Sequence, residues 1–313
     1  MVFNRTLIKT ILLGLVSTLL GLVFIISALT KLYPIELFEL TFIDLGVASW
    51  KTAPFISRLF IGAEFFLGIM LILNIRLRKF TLKATIALLV VFTLYLVALI
   101  IFEGNKGNCK CFGNYIVMTP LESIIKNLVM ILVAGALYFA KHDIKYPFQK
   151  ILMILCILTS LSLPFILNPP DLIATYQFQE ETTGYNINLD TLYTSSDITP
   201  PQVDLRQGKH IIAFLSLSCK HCRVAAYKMH VLNKQHPEIP FYLILNGKPE
   251  KLQGFFDDTK TSNIPYMLLK GERFINLAGY SLPVIMFVNN TLVEEKVNYV
   301  TLNYEKISEW LKK

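Results

Sequence analysis

Five stretches of this 313-residue chain are each about twenty residues long and almost free of charge, and they decide most of what it can fold into. A helix needs roughly 20 apolar residues to cross the hydrocarbon of a bilayer. Residues 10–30, 53–74, 84–102, 119–140 and 150–167 meet that need. The first, "TILLGLVSTLLGLVFIISALT", lies between Lys9 and Lys31. Arg5 and Lys9 upstream would suit a cleaved signal peptide. The apolar core is too long for one, however, and no Ala-x-Ala-type site follows, so the segment reads as a retained helix. The fifth, "ILMILCILTSLSLPFIL", is shorter and contains Pro164.

Composition and charge agree with this reading. Hydrophobic residues make up 54% of the chain and the mean hydropathy is +0.52, which excludes an ordinary soluble enzyme. The net charge of +8 is unevenly placed: residues 1–170 hold 15 Lys/Arg against 7 Asp/Glu, while residues 171–313 hold 15 of each. Nucleic-acid binding needs basic residues gathered on a folded face; here they flank apolar runs, so no nucleic-acid partner is expected. Lys and Arg accumulate in cytoplasmic loops. With the N-terminus cytoplasmic, that side holds Arg5, Lys9, Arg76, Arg78, Lys79, Lys83, Lys141, Lys145 and Lys150. The outer loops hold only Lys31, Lys51, Lys106 and Lys110. Five crossings then carry residues 171–313 to the outer side, together with Cys109 and Cys111, into a compartment where disulfides persist.

Three ionisable residues fall inside the spans: Arg58, Glu64 and Lys126. Charge in hydrocarbon is costly and usually faces a bundle interior or a functional cavity. Two readings stay open. One is a structural ion-pair cluster that includes Glu122, four residues before Lys126 on one helix face. The other is a redox or quinone pocket.

"LNPPDL", 167–172, ends the membrane part, since two prolines cannot continue a helix. After a polar, turn-rich segment, "HIIAFLSL" at 210–217 reads as a buried strand. It runs into "SCKHC", with Cys219 and Cys222 spaced as Cys-x-x-Cys, and "RVAAYKMHVLNKQ" follows as a helix. "PFYLIL" at 240–245 is a second strand, "LPVIMFV" then "NN" and "TLVEEKV" a hairpin, and "YEKISEWLKK" an amphipathic closing helix.

A thiolate is the reactive form of cysteine, and its pKa falls at a helix N-terminus or beside cations. Cys219 is expected at such a terminus, flanked by Lys220 and His221 with Arg223 one turn away; Cys222 would be the resolving thiol. Stabilising the thiolate makes the disulfide more oxidising. A zinc site is an alternative use of Cys-x-x-Cys, but it needs two further ligands, for which His230 and His236 are the candidates. No metal is expected. A plain structural disulfide is disfavoured because so small a ring removes little chain entropy.

Residues 210–313 resemble the thioredoxin-like superfamily, on Cys219-Lys220-His221-Cys222 at a strand-to-helix turn and Leu282-Pro283 before a strand. The resemblance implies that Pro283 is cis and faces the cysteines. Ser218 stands where thioredoxins usually have Trp, and His221 before the second cysteine resembles the oxidase and isomerase members. The membrane half resembles the DoxX-like family, and within it the MauE branch of methylamine utilisation. The residues that carry this are "ISALTKLYPIELFEL", "RLFIGAEFFLGIMLIL", "CKCFGN" and "LESIIKNLVMILVAG". That resemblance implies a membrane partner in disulfide formation or thiol redox for exported proteins, in a bacterial inner membrane.

The expected fold is therefore an α-helical membrane bundle, four DoxX-like helices plus a fifth, followed by an α/β thioredoxin-like domain. Its divisions are 1–146, then 147–170 as fifth helix and Pro-rich linker, then 171–313 on the outer side. The expected function is a thiol–disulfide relay in which Cys219/Cys222 exchange with exported client proteins and with Cys109/Cys111. A Cys-x-Cys ring is small, and strain eases reduction; a static loop clasp is the alternative for that pair. Cys156 reads as a buried apolar residue. No tightly bound cofactor is expected, although quinone near Arg58, Glu64 and Lys126 is a possible electron acceptor in the membrane lipid. Two other functions stay open: reduction of outer-side disulfides, against which counts the lack of cysteine in the cytoplasmic loops, and a non-catalytic assembly factor for an exported client.

Overall fold

Each of the five apolar stretches forms one long helix. The computed structural model describes residues 5–105, 107–113, 116–140, 147–170, 183–194 and 200–313, and it divides into two compact units, Met1–Pro170 and Asp171–Lys313. In the first unit the long helices are α1 (Arg5–Leu32), α3 (Ala53–Ile72), α4 (Leu82–Glu103), α5 (Pro120–Ala140) and α6 (Gln149–Leu167). All five are long and apolar enough to cross a membrane. A short helix that the sequence did not announce, α2 (Glu36–Asp44), lies between α1 and α3.

Small residues let these helices approach closely, as van der Waals packing in lipid requires. A Cβ on Gly21 of α1 would stand 2.6 Å from the Gly68 carbonyl oxygen of α3, and one on Gly62 would stand 2.9 Å from Ser160 O of α6. Leu20, Phe24, Met70, Leu71, Leu89 and Ala134 fill the bundle interior. Its outside is apolar too: Leu19, Leu94, Leu132 and Leu158 are each more than 60% exposed. Leucines facing outward on every side fit a bilayer and not water. Pro164 does not end α6; it sits within the helix, buried in line with Cys156 and Ser160 at intervals of four. Neighbouring helices make such a proline tolerable in a span.

The second unit is built on a six-stranded sheet of order β1-β6-β5-β2-β3-β4. The strands are β1 (Tyr185–Asn186), β2 (Lys209–Ser216), β3 (Phe241–Asn246), β4 (Tyr266–Leu268), β5 (Val284–Asn289) and β6 (Leu292–Val297). Strand β2 runs parallel to β3 and antiparallel to β5, which in turn pairs antiparallel with β6. Helix α7 (Lys220–Gln235) crosses from β2 to β3, α8 (Leu252–Thr259) and α9 (Glu272–Ala278) follow, and α10 (Tyr304–Lys312) closes the chain. The central strand β2 is buried without alternation because both sheet faces are covered. Ile212 and Phe214 enter a core with Tyr242, Ile244 and Phe274, while Phe287 meets Trp310 of α10 with ring centroids 5.0 Å apart. The hairpin turn centres on Asn290 and Thr291, both at positive φ, one residue later than "NN" implied. Two left-handed central residues match the twist of a two-residue hairpin.

Candidate functional site

The first cysteine pair sits where the central strand hands over to a helix. Cys219 caps α7 in an extended conformation, and its sulfur accepts the Cys222 N–H at 3.2 Å. Its own N–H is held by Ser216 O at 3.1 Å, at the end of β2. Cys219 is half-buried and Cys222 fully buried. The Cys222 thiol donates to Cys219, and the amides of Cys222 and His221 and the His221 ring add to it. Together they hold Cys219 at about 6 against the upward push of burial. Cys222 is driven far upward by its bond to Cys219 and by burial. The pair is therefore differentiated into one ready thiolate and one reserve thiol, the arrangement that thiol–disulfide exchange uses.

His221 lies beside this pair. Its Nδ1 is 3.1 Å from the Tyr299 hydroxyl, and the two rings stack at 5.9 Å. Lys228 donates to the carbonyls of Tyr299 and Val300, at 2.7 and 3.1 Å, and so fixes the loop that carries Tyr299. Tyr299 was not legible as a site residue, being 78 positions away from its partner. Arg223, expected to add positive charge near Cys219, is instead paired with Asp258 and donates to Leu217 O. The Leu282–Pro283 bond is cis. Register places Pro283 one residue beyond the Phe214–Val284 pair, at the sheet end from which Cys219 emerges. His236 stacks on Tyr304 at 3.6 Å and pairs with Glu238. Among the described residues no group of three metal-ligating side chains gathers.

The second pair lies in a tight loop between α4 and α5. Asn108 holds its shape, accepting from Lys110 N at 3.0 Å and donating to Gly113 O at 3.0 Å. Gly113 adopts φ +57° against the end of α1, where a Cβ would stand 2.1 Å from Thr30 O, so only glycine fits. Asn114, the last residue of "GNCKCFGN", and Lys106, Lys141 and Lys145 of the orientation argument lie outside the described residues. The Cys109 sulfur is 2.9 Å from Ser123 Oγ and accepts the Cys111 N–H at 3.4 Å. The Cys111 thiol donates to Cys109, and Ser123, the Cys111 amide and the Lys126 charge assist; together they hold Cys109 at about 6 against burial. Cys111 is pushed well up by its bond to Cys109 and by burial. The two pairs thus share one electronic pattern: in each, the first cysteine carries the stabilised sulfur.

Both thiols line an internal cavity of about 30 Å³, together with Ser27, Lys31, Glu64, Lys126 and Asn127. The three charges expected to act together are divided. Glu64 and Lys126 line this cavity and Arg58 does not. Arg58, 1% exposed, pairs with Glu39 of α2 and donates to Asn168 O and Pro169 O, tying α3 to the end of α6. Glu64 is engaged by Lys31, whose ammonium lies 2.7 and 2.9 Å from its two oxygens. Lys31 is thus a buried residue of α1 and not a loop charge. Ser27 joins this pair to the cysteine loop, donating to Cys111 O at 3.3 Å and accepting from Lys31 at 2.6 Å. Glu122 does not serve Lys126. Its carboxylate accepts the Thr119 N–H while the Thr119 hydroxyl accepts the Glu122 N–H, a capping box that starts α5. Lys126 instead lies over the Phe112 ring at 4.4 Å. Cys156 is buried among apolar side chains.

The chain leaves the membrane unit at the same end of the bundle. Asn168 donates to Leu32 O at 2.8 Å, at the terminus of α1 on which the cysteine loop rests at Thr30.

Known proteins resemble the chain in both parts. Over 339 aligned residues, covering 92% of this chain and 91% of the other, it is 27% identical to Protein TlpB of Flavobacterium psychrophilum. Among solved structures, the thioredoxin domain of a thiol-disulfide oxidoreductase from Bacteroides vulgatus matches 35% of this chain and 80% of its own, at 14% identity and a TM-score of 0.29. A secreted Mycobacterium tuberculosis disulfide oxidoreductase homologous to E. coli DsbE matches 34% and 81%, at 17% identity and a TM-score of 0.27. Residues 9–140 match the model for methylamine utilisation protein MauE.

Proposed function

We propose that the protein is a membrane-anchored thiol–disulfide oxidoreductase in which Cys219 and Cys222 exchange with exported client proteins and then with Cys109 and Cys111. The observation that carries this is the Cys222 amide aimed at a half-exposed Cys219 sulfur, 3.2 Å away, with Cys222 itself buried. In the oxidising direction a client thiolate attacks the Cys219 sulfur of a Cys219–Cys222 disulfide and Cys222 leaves. A second client thiol then displaces Cys219, so the client is oxidised and the pair gains two electrons. Exchange with a Cys109–Cys111 disulfide restores the outer pair. His221 favours oxidation over reduction. The shared end of the bundle supports one compartment for both pairs, the outer face of a bacterial inner membrane.

A quinone in the lipid is a candidate acceptor. Pockets for ligands of that kind run to roughly 300–1,000 Å³, and a cavity of about 30 Å³ beside the pair has room for about one water. A quinone ring therefore does not fit inside this cavity. The test is the redox state of both pairs in the native membrane, read by differential alkylation. Replacing Cys219 with Ser is expected to leave Cys109 and Cys111 oxidised. An unchanged, mixed redox state would make the membrane pair a clasp.

A further inference from the structure

The start of α5 is fastened independently of the sulfur it faces. Its capping box closes at Thr119 and Glu122, and the Leu121 N–H donates to the Asn105 side chain at 3.0 Å, just past the end of α4. The Cys109 N–H donates to Met118 O at 2.8 Å, so backbone ties the cysteine loop to the residues that lead into the helix. One residue beyond the capping glutamate stands Ser123, 0% exposed, with its Oγ 2.9 Å from the Cys109 sulfur. Cys109 is itself buried and meets a second donor there, the Cys111 N–H at 3.4 Å. The hydroxyl is thus presented to the sulfur by a helix turn whose own hydrogen bonds are already made.

What this hydroxyl contributes depends on the redox state of the pair. A thiolate carries charge and no proton, so Ser123 donates to it, and hydrogen bonds to charged groups are the strong ones. A disulfide sulfur is neutral and a weak acceptor, so a buried hydroxyl facing it gains little.

We infer, within the exchange reading above, that Ser123 sets the redox poise of the membrane pair by donating to Cys109 as a thiolate and so favouring the reduced form. When the Cys109–Cys111 bond is reduced by two donor thiols, the donor sulfurs become a disulfide and two electrons enter the pair. Cys111 takes up one proton, Cys109 stays a thiolate against Ser123 and the Cys111 amide, and the second proton goes to solvent. A dithiol stabilised in its reduced form makes a more oxidising disulfide, which suits a pair that accepts electrons from Cys219 and Cys222. The lowered pKa of Cys109, about 6, agrees with this geometry.

The test uses the full-length Cys219→Ser, Cys222→Ser chain in lipid nanodiscs, equilibrated with glutathione buffers, quenched with acid and read by differential alkylation. That gives the equilibrium constant between the dithiol and disulfide forms of the membrane pair. At about pH 8, Ser123→Ala is expected to move the constant about tenfold toward the disulfide, which is about 30 mV for a two-electron couple. Below about pH 5 Cys109 is protonated with or without the hydroxyl, and the two constants are expected to converge. Ser123→Gly serves the same purpose if Ala disturbs the packing of α5. An unmoved constant at the higher pH overturns the inference. So does a shift of equal size at both pH values, which loss of packing alone would give. The measurement uses neither a client nor the outer pair, so the relay can fail while this inference stands, and the reverse.

Discussion

Lys31 donates to both carboxylate oxygens of Glu64, at 2.7 and 2.9 Å, with both side chains less than 5% exposed inside the membrane unit. The pair joins α1 to α3 directly beneath the cysteine loop and reaches that loop through Ser27. A buried pair of this kind is worth little against a well-packed apolar substitute, but losing one partner strands the other. Lys31→Met and Glu64→Leu alone are each expected to destabilise the membrane unit by about 3–5 kcal/mol. The double variant is expected to recover much of that loss. Thermal unfolding in detergent measures all three, and additive losses would refute the coupling.

The outer pair predicts a pH dependence whose sign is fixed. Cys219 is held at about 6, below the 9.0 of a free thiol. Its contribution to the stability of the reduced fold is therefore complete above pH 9 and is lost as pH falls through about 6. Alkylation of Cys219 should rise through pH 6 and level off well below pH 9. Replacing Cys222 with Ala removes the thiol that donates to Cys219 and should move the midpoint upward.

Tyr299 is predicted to matter through His221. Removing its hydroxyl as Tyr299→Phe keeps the ring stack and deletes the 3.1 Å contact. A hydrogen bond of this kind contributes about 0.5–1.5 kcal/mol. Exchange at Cys219 is expected to slow by about twofold to tenfold, with the pH midpoint displaced and the fold unaltered by circular dichroism. An identical rate and midpoint would leave Tyr299 a bystander.

Gly113 is predicted to be irreplaceable for a local reason. Alanine there adds a methyl 2.1 Å from Thr30 O at a backbone φ of +57°. Gly113→Ala should lift the cysteine loop off α1 and raise the labelling rate of Cys109, now buried, by an order of magnitude or more. The helices should keep their thermal stability within about 1 kcal/mol.

Much of this architecture was written in local patterns. Five apolar runs of the right length became five helices, and "SCKHC" after a buried strand became a helix cap because both signals are confined to a few adjacent residues. Helix α2 was missed because its nine residues are too few and too acidic to register as a span. The capping box at Thr119 and Glu122 was readable as Thr-x-x-Glu, and reading it would have removed Glu122 as a partner for Lys126. Pairings across the fold were not legible. Glu39 with Arg58, Lys31 with Glu64, and Tyr299 with His221 each join different elements, and spacing along one chain carries no record of them. The grouping of Arg58 with Glu64 and Lys126 failed for that reason: all three are charges in spans, but their partners divide them.

The central claim is that electrons pass between the two cysteine pairs, and a trap tests it most directly. In the Cys222→Ala chain, expressed in its native membrane and quenched with acid, Cys219 can form mixed disulfides but cannot resolve them. Cys219 adducts of two kinds are expected: with exported client proteins, and with Cys109 or Cys111 of the membrane unit, identified by mass spectrometry. Recovery of Cys219 with neither kind of adduct, while Cys109 and Cys111 stay in one fixed redox state, would contradict it.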